Sequence, residues 1–97
     1  MLRHIVMVQF KDRTTKDQEA IKLKKMLEDL TDEIPSLYTM EVGLNINTKP
    51  SAFDLVLTAD FENETGLNAY RVHPKHVKVL DYLKVVVEKT AVVDYIV

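Results

Sequence analysis

Apolar positions recur with two different periods along this chain, and each change of period marks a new element. Over residues 2–10 they alternate. His4, Val6, Val8 and Phe10 fall on one face of a strand, and Ile5, Met7 and Gln9 on the other. After a polar connection the spacing becomes helical over residues 15–34. Ala20, Leu23, Leu27, Leu30 and Ile34 form the stripe, with Met26 beside it. Thr15 and Gln18 have capping-box spacing, and Pro35 ends the helix because the residue before a proline is driven out of the helical region. The outer face carries its lysines early and its acids late, against the helix dipole, so the apolar stripe must hold this helix.

Alternation returns over residues 38–46, with Tyr38, Met40, Val42, Leu44 and Ile46 on one face. A turn cluster, Asn47 to Ser51, leads to a strand over 53–61, with Phe53, Leu55, Leu57, Ala59 and Phe61 on its buried side. These two strands are expected to pair as an antiparallel hairpin. Asn63 is placed to cap a short helix to residue 72, where His73-Pro74 interrupts it. Pro74 suits the first position of a second helix, to residue 89, with Val77, Leu80, Leu83 and Val87 as its stripe. Residues 91–97 read as a last strand. The order β-α-β-β-α-β is ferredoxin-like: an α+β fold with a four-stranded antiparallel sheet and helices on one face. No repeat or linker divides the chain, so residues 1–97 are expected to form a single domain.

That architecture leaves one sheet face open, carrying Ile5, Met7, Val56, Val93, Tyr95 and Val97. Such a face is too apolar for water, and a homodimer with two sheets packed face to face is the simplest remedy.

Charge removes some functions. Thirteen basic and fifteen acidic residues give a net charge of −2, so no basic field is available for nucleic acid. Without cysteine there is no disulfide, thiolate metal site or cysteine nucleophile. No apolar run approaches the roughly 18 residues of a membrane span and no cleavage pattern follows the N-terminus, so a soluble cytoplasmic protein is expected. Neither a phosphate loop nor a nucleophile elbow occurs.

The candidate chemistry is histidine chemistry. His4 lies on the helix-facing side of its strand, as a partly buried core-edge residue or as part of a site. His73 is placed as a helix cap and His76 in the first turn, where the positive pole of the helix disfavours imidazolium. A neutral His76 could act as a general base; the alternative is a pair of surface histidines. Tyr70 could fill the core with its ring and polarise a carbonyl with its hydroxyl. Asp94 shares a strand face with Val92 and Ile96; if that face is internal, it needs a donor, and a histidine is the natural one. The histidines lack a carboxylate at a known metal spacing, so neither a metal nor another cofactor is expected.

Several of these residues together resemble the stress-responsive A/B barrel domain, or dimeric α/β barrel, family. They are His4-Ile5-Val6, Phe10-Lys11, Ile34-Pro35, Gly43, Asp54-Leu55-Val56-Leu57 and Phe61, then Tyr70-Arg71-Val72-His73-Pro74-Lys75-His76 and Val92-Val93-Asp94-Tyr95. The resemblance implies a ferredoxin-like protomer dimerised through its sheets. The family includes plant stress-induced proteins that form larger oligomers and a polyketide cyclase that performs an intramolecular aldol condensation. On that likeness His76 removes an acidic proton, Tyr70 polarises a carbonyl and Asp94 orients His76. His4 joins the site, and an apolar pocket for a small carbonyl ligand is walled by Val6, Val8, Leu23, Leu27, Leu57 and Leu80, with His73 on its ligand side. Two functions stay open: a small-molecule-binding protein or enzyme, and a non-enzymatic stress protein that works through stable oligomerisation.

Overall fold

A computed structural model describes all 97 residues. The elements are β1 (Leu2–Phe10), α1 (Lys16–Asp29), a 3₁₀ turn (Leu30–Asp32), β2 (Thr39–Leu44), β3 (Leu55–Phe61), α2 (Glu64–Val72), α3 (Pro74–Val86) and β4 (Val87–Ile96). The sheet order is β2-β3-β1-β4 with every neighbouring pair antiparallel. This is the ferredoxin-like arrangement, with the helices on one face.

Strand register puts Leu2, His4, Val6, Val8 and Phe10 on the helix side of β1, opposite Leu55, Leu57, Ala59 and Phe61 of β3. Leu23, Leu27 and Ala20 of α1, Leu67 and Tyr70 of α2, and Val79 of α3 close over them to form the core. Asp54 ties the β2–β3 loop to β1. Its backbone N–H donates to the Val8 carbonyl, and its carboxylate accepts from the Phe10 N–H and twice from Arg13, at 2.7 to 2.9 Å.

Several boundaries differ from the sequence reading. The regular part of α1 stops at Asp29, and the chain reaches the buried Ile34 through the 3₁₀ turn. Thr15 makes no side-chain cap bond, so the Thr15/Gln18 capping box is absent. Asp12 organises this corner instead, accepting from the N–H and hydroxyl of Thr14. The central hairpin is shorter at its loop end. Asn45 donates to the Phe53 carbonyl and accepts from the Asn47 N–H, folding the chain away from the ladder. Because β2 is an edge strand, only Val42 on its expected apolar face is fully buried; Tyr38 and Leu44 are exposed and Ile46 is 97% exposed.

The larger correction is at α3. The helix ends at Val86 and β4 starts at Val87, four residues before the expected Ala91. Val85, Val86 and Val87 are β-branched and weak helix formers. Pairing of Val87 with Phe10, across a register shift in β1, takes Val87 into the sheet, while Val85 and Val86 remain the last residues of the helix. The α3 stripe also shifts: Val79 is its buried residue, whereas Val77 and Leu80 are exposed.

The far face of the sheet is uncovered. Register brings Ile5, Met7, Val56, Val93 and Tyr95 together there, with Val97 just past the last strand. Arg3 and Asp60 form a bidentate ion pair on the same face, at 2.9 and 3.0 Å, and the guanidinium holds the Asp60 carboxyl below its usual range. Gly43 leaves room for a neighbour, since a Cβ there would sit 3.3 Å from Val56 Cγ1.

Candidate functional site

Two short helices joined by a single residue create the site. His73 precedes Pro74 and is therefore extended, at φ −64° and ψ 135°, which stops α2. The same residue caps α3, its Nδ1 accepting from the Lys75 N–H at 3.1 Å, while Pro74 fills the first helical position. The sharp joint folds the first turn of α3 back on the last turn of α2. The ring of Tyr70 lies between Phe61, at a centroid distance of 5.0 Å, and His76, at 4.1 Å.

His76 Nδ1 lies 3.1 Å from the Arg71 carbonyl. A carbonyl can only accept, so the proton is on Nδ1 and the lone pair of the neutral ring is on Nε2. Burial pulls the His76 pKa below its ordinary value, with nearby His4 adding to the effect and the Arg71 carbonyl opposing it. Burial likewise pushes the Tyr70 phenol well above its usual range. The pair is thus an unprotonated imidazole beside a protonated phenol at neutral pH.

Asp94 does not orient His76. It stands directly across from His4 in the β1–β4 ladder, and His4 Nδ1–H donates to its carboxylate. Its other oxygen lies 3.5 Å from the Arg71 guanidinium. The Arg71 carbonyl fixes His76, because the tight α2–α3 joint brings that backbone oxygen to the ring.

A cavity of about 370 Å³ opens between sheet and helices beside these groups. Val6 and Leu57 form its floor, Leu27, Val79, Leu80 and Leu83 its roof, and Val92 its outer side. His4, Tyr70, Arg71, His76 and Thr90 supply the polar lining. Three residues expected in the wall lie elsewhere. Val8 and Leu23 are sealed in the core, and His73 is occupied as a cap outside the cavity. Asp94 sits behind His4 and does not line the cavity. The sequence reading did not place Arg71, Val79, Leu83, Thr90 or Val92 on the cavity wall. For Val92 the signal was available, since it alternates with Asp94; Arg71 adjoins Tyr70, but nothing in its spacing points to the cavity. A second hollow of about 400 Å³, beside Phe53 and Val56 on the sheet, holds no titratable group. No three metal-ligating side chains converge anywhere in the structure, and no helix is long and apolar enough to cross a membrane.

The structure is thus a ferredoxin-like protomer with one bare sheet face and a lateral cavity. The family model of the stress responsive A/B barrel domain matches residues 2–97, and the chain belongs to that family. It is 28% identical to the Arabidopsis thaliana stress-response A/B barrel domain-containing protein DABB1 over 99% of this chain and 47% of that protein, so it spans about half the length of that relative. It is 29% identical to the stress-response A/B barrel domain-containing protein At5g22580 of the same plant, over 96% of this chain and 83% of that one. It is 25% identical to olivetolic acid cyclase of Cannabis sativa, over 97% of this chain and 94% of the cyclase. Among solved structures, a dimeric ferredoxin-like protein of unknown function from Bacteroides fragilis is 30% identical and superposes with a TM-score of 0.87, over 97% of this chain and 93% of that one. A dimeric counterpart from Thermobifida fusca is 26% identical with a TM-score of 0.84, over 99% and 90%.

Proposed function

We propose that this protein binds a small, largely apolar carbonyl compound in the lateral cavity and carries out acid–base chemistry on it, as a homodimer joined through the open sheet faces. The observation that carries this reading is the unfilled apolar cavity with Tyr70 and His76 both on its lining. Similarity to olivetolic acid cyclase, which this chain matches over nearly its whole length, adds support for a small-molecule reaction.

The steps follow from the geometry of the pair. His76 Nε2 takes the proton from the carbon next to the substrate carbonyl, while the Tyr70 hydroxyl hydrogen-bonds the carbonyl oxygen, where negative charge develops. The Arg71 carbonyl keeps His76 in the tautomer this needs. His4, held by Asp94, lines the same space and serves as a second polar contact for the ligand.

The test is α-proton exchange of a medium-chain methyl ketone in deuterated buffer, followed by NMR. The native protein should accelerate exchange over buffer, and His76→Ala should reduce that acceleration by about 10²-fold or more. The rate should rise as pH rises through the His76 pKa, which lies below 6.5, and then level off. An exchange rate equal to that of buffer, or unchanged by His76→Ala, would rule out the acid–base reading.

A further inference from the structure

Arg71 stands apart from the other groups around the cavity. It is the only permanently charged side chain on a lining that contains no carboxylate. Its guanidinium carries five N–H donors, and protein groups engage two edges of it weakly. One contact is to the Asn68 side chain at 3.1 Å, within its own helix. The other is the 3.5 Å approach to Asp94, whose opposite oxygen is already committed to His4. An ion pair this long and half exposed contributes little, so a better-placed anion can take its place. The side chain is 47% exposed, and Arg71 stands where this cavity adjoins a second hollow that carries Glu62, Glu64 and Asp94.

We propose that Arg71 is a specificity residue that selects ligands bearing a carboxylate, gripping that group at this junction while the apolar body lies against Val6, Leu57, Leu80 and Val92. A guanidinium fork matches a carboxylate bidentately, which gives orientation as well as attraction. The same residue holds His76 through its backbone carbonyl, so one residue fixes both the ligand head and the base. The inference rests on the cavity being a ligand site and adds the chemical class of the ligand.

The experiment uses three probes of equal chain length: octanoate, octanol and octylamine. Binding to the whole protein is followed by NMR of the Val and Leu methyl groups. Octanoate is expected to bind about tenfold tighter than octanol, with octylamine weakest, and the octanoate preference should shrink as salt is raised. Arg71→Gln should bring octanoate to the level of octanol, and a methyl spectrum of the free variant that matches the native one shows that it folds. Equal binding of acid and alcohol to the native protein, or a preference that survives Arg71→Gln, overturns the assignment of Arg71 and leaves the cavity as a site. Absence of any shift at Val6, Leu80 and Val92 with all three probes overturns both.

Discussion

At the scale of single residues the His4–Asp94 pair has a measurable cost of removal. His4 is only 8% exposed, and its Nδ1–H has the carboxylate as its partner. Asp94→Ala strands that donor, and a loss of about 1–3 kcal/mol of stability is expected, read as a fall in urea midpoint at constant slope. Asp94→Asn, which keeps an acceptor, should lose less. His76 has a different signature. Burial lowers its proton affinity in the folded state, so below pH 6.5 the unfolded chain binds more protons at this site. Its contribution is therefore fully present above 6.5 and declines as pH falls toward the depressed pKa. Subtracting the pH–stability curve of His76→Gln from that of the native protein should leave a slope confined to that window. The sequence showed that an internal Asp94 would require a donor and that a histidine could supply it. Which histidine was not legible, because residues 4 and 94 meet only through the β1–β4 register.

At the scale of elements, two helix starts that look alike in sequence separate in the structure. Asn63 accepts from the Gly66 N–H at 3.0 Å, whereas Thr15 caps nothing. Asn63→Ala should therefore cost about 1 kcal/mol, and Thr15→Ala no more than a few tenths, compared by thermal melts under one condition. The hydrophobic periods located β1, α1, β2, β3 and α3, since a half-buried strand and a one-faced helix each leave their own repeat, whereas α2 was marked by its Asn63 cap and the His73-Pro74 break. They failed where one run of residues satisfies both readings. Val85-Val86-Val87 continues the helical stripe and is equally suited to a strand. The Val87–Phe10 pairing, a contact between distant parts of the chain, decides between them. The cavity was harder to read for the same reason: its floor, roof and outer side come from β1, β3, α1, α3 and β4, and local spacing carries no record of that convergence.

At the scale of the whole molecule, the bare sheet face is the surface that the proposed dimer would bury. Val56 and Val93 are exposed in the protomer and lie on the face that the proposed dimer would cover. Val93→Asp is expected to halve the mass seen by light scattering at micromolar concentration while leaving the far-ultraviolet circular dichroism unchanged. An unaltered dimer would move the interface elsewhere. On the opposite side, the helices cover the inner surface of β1 and β3 but leave that of β4 bare, and Val92 and Ile96 are 53% and 74% exposed there. The cavity is thus a gap left by the layout of the layers, not one carved out of the core. Leu80, Thr90 and Val92 can change size or polarity with little loss of folding free energy, whereas Leu23 and Phe61 cannot. Evolution can therefore redraw the ligand preferences of this scaffold by drift at a few poorly packed positions, which lets relatives keep one fold while diverging in the molecules they recognise.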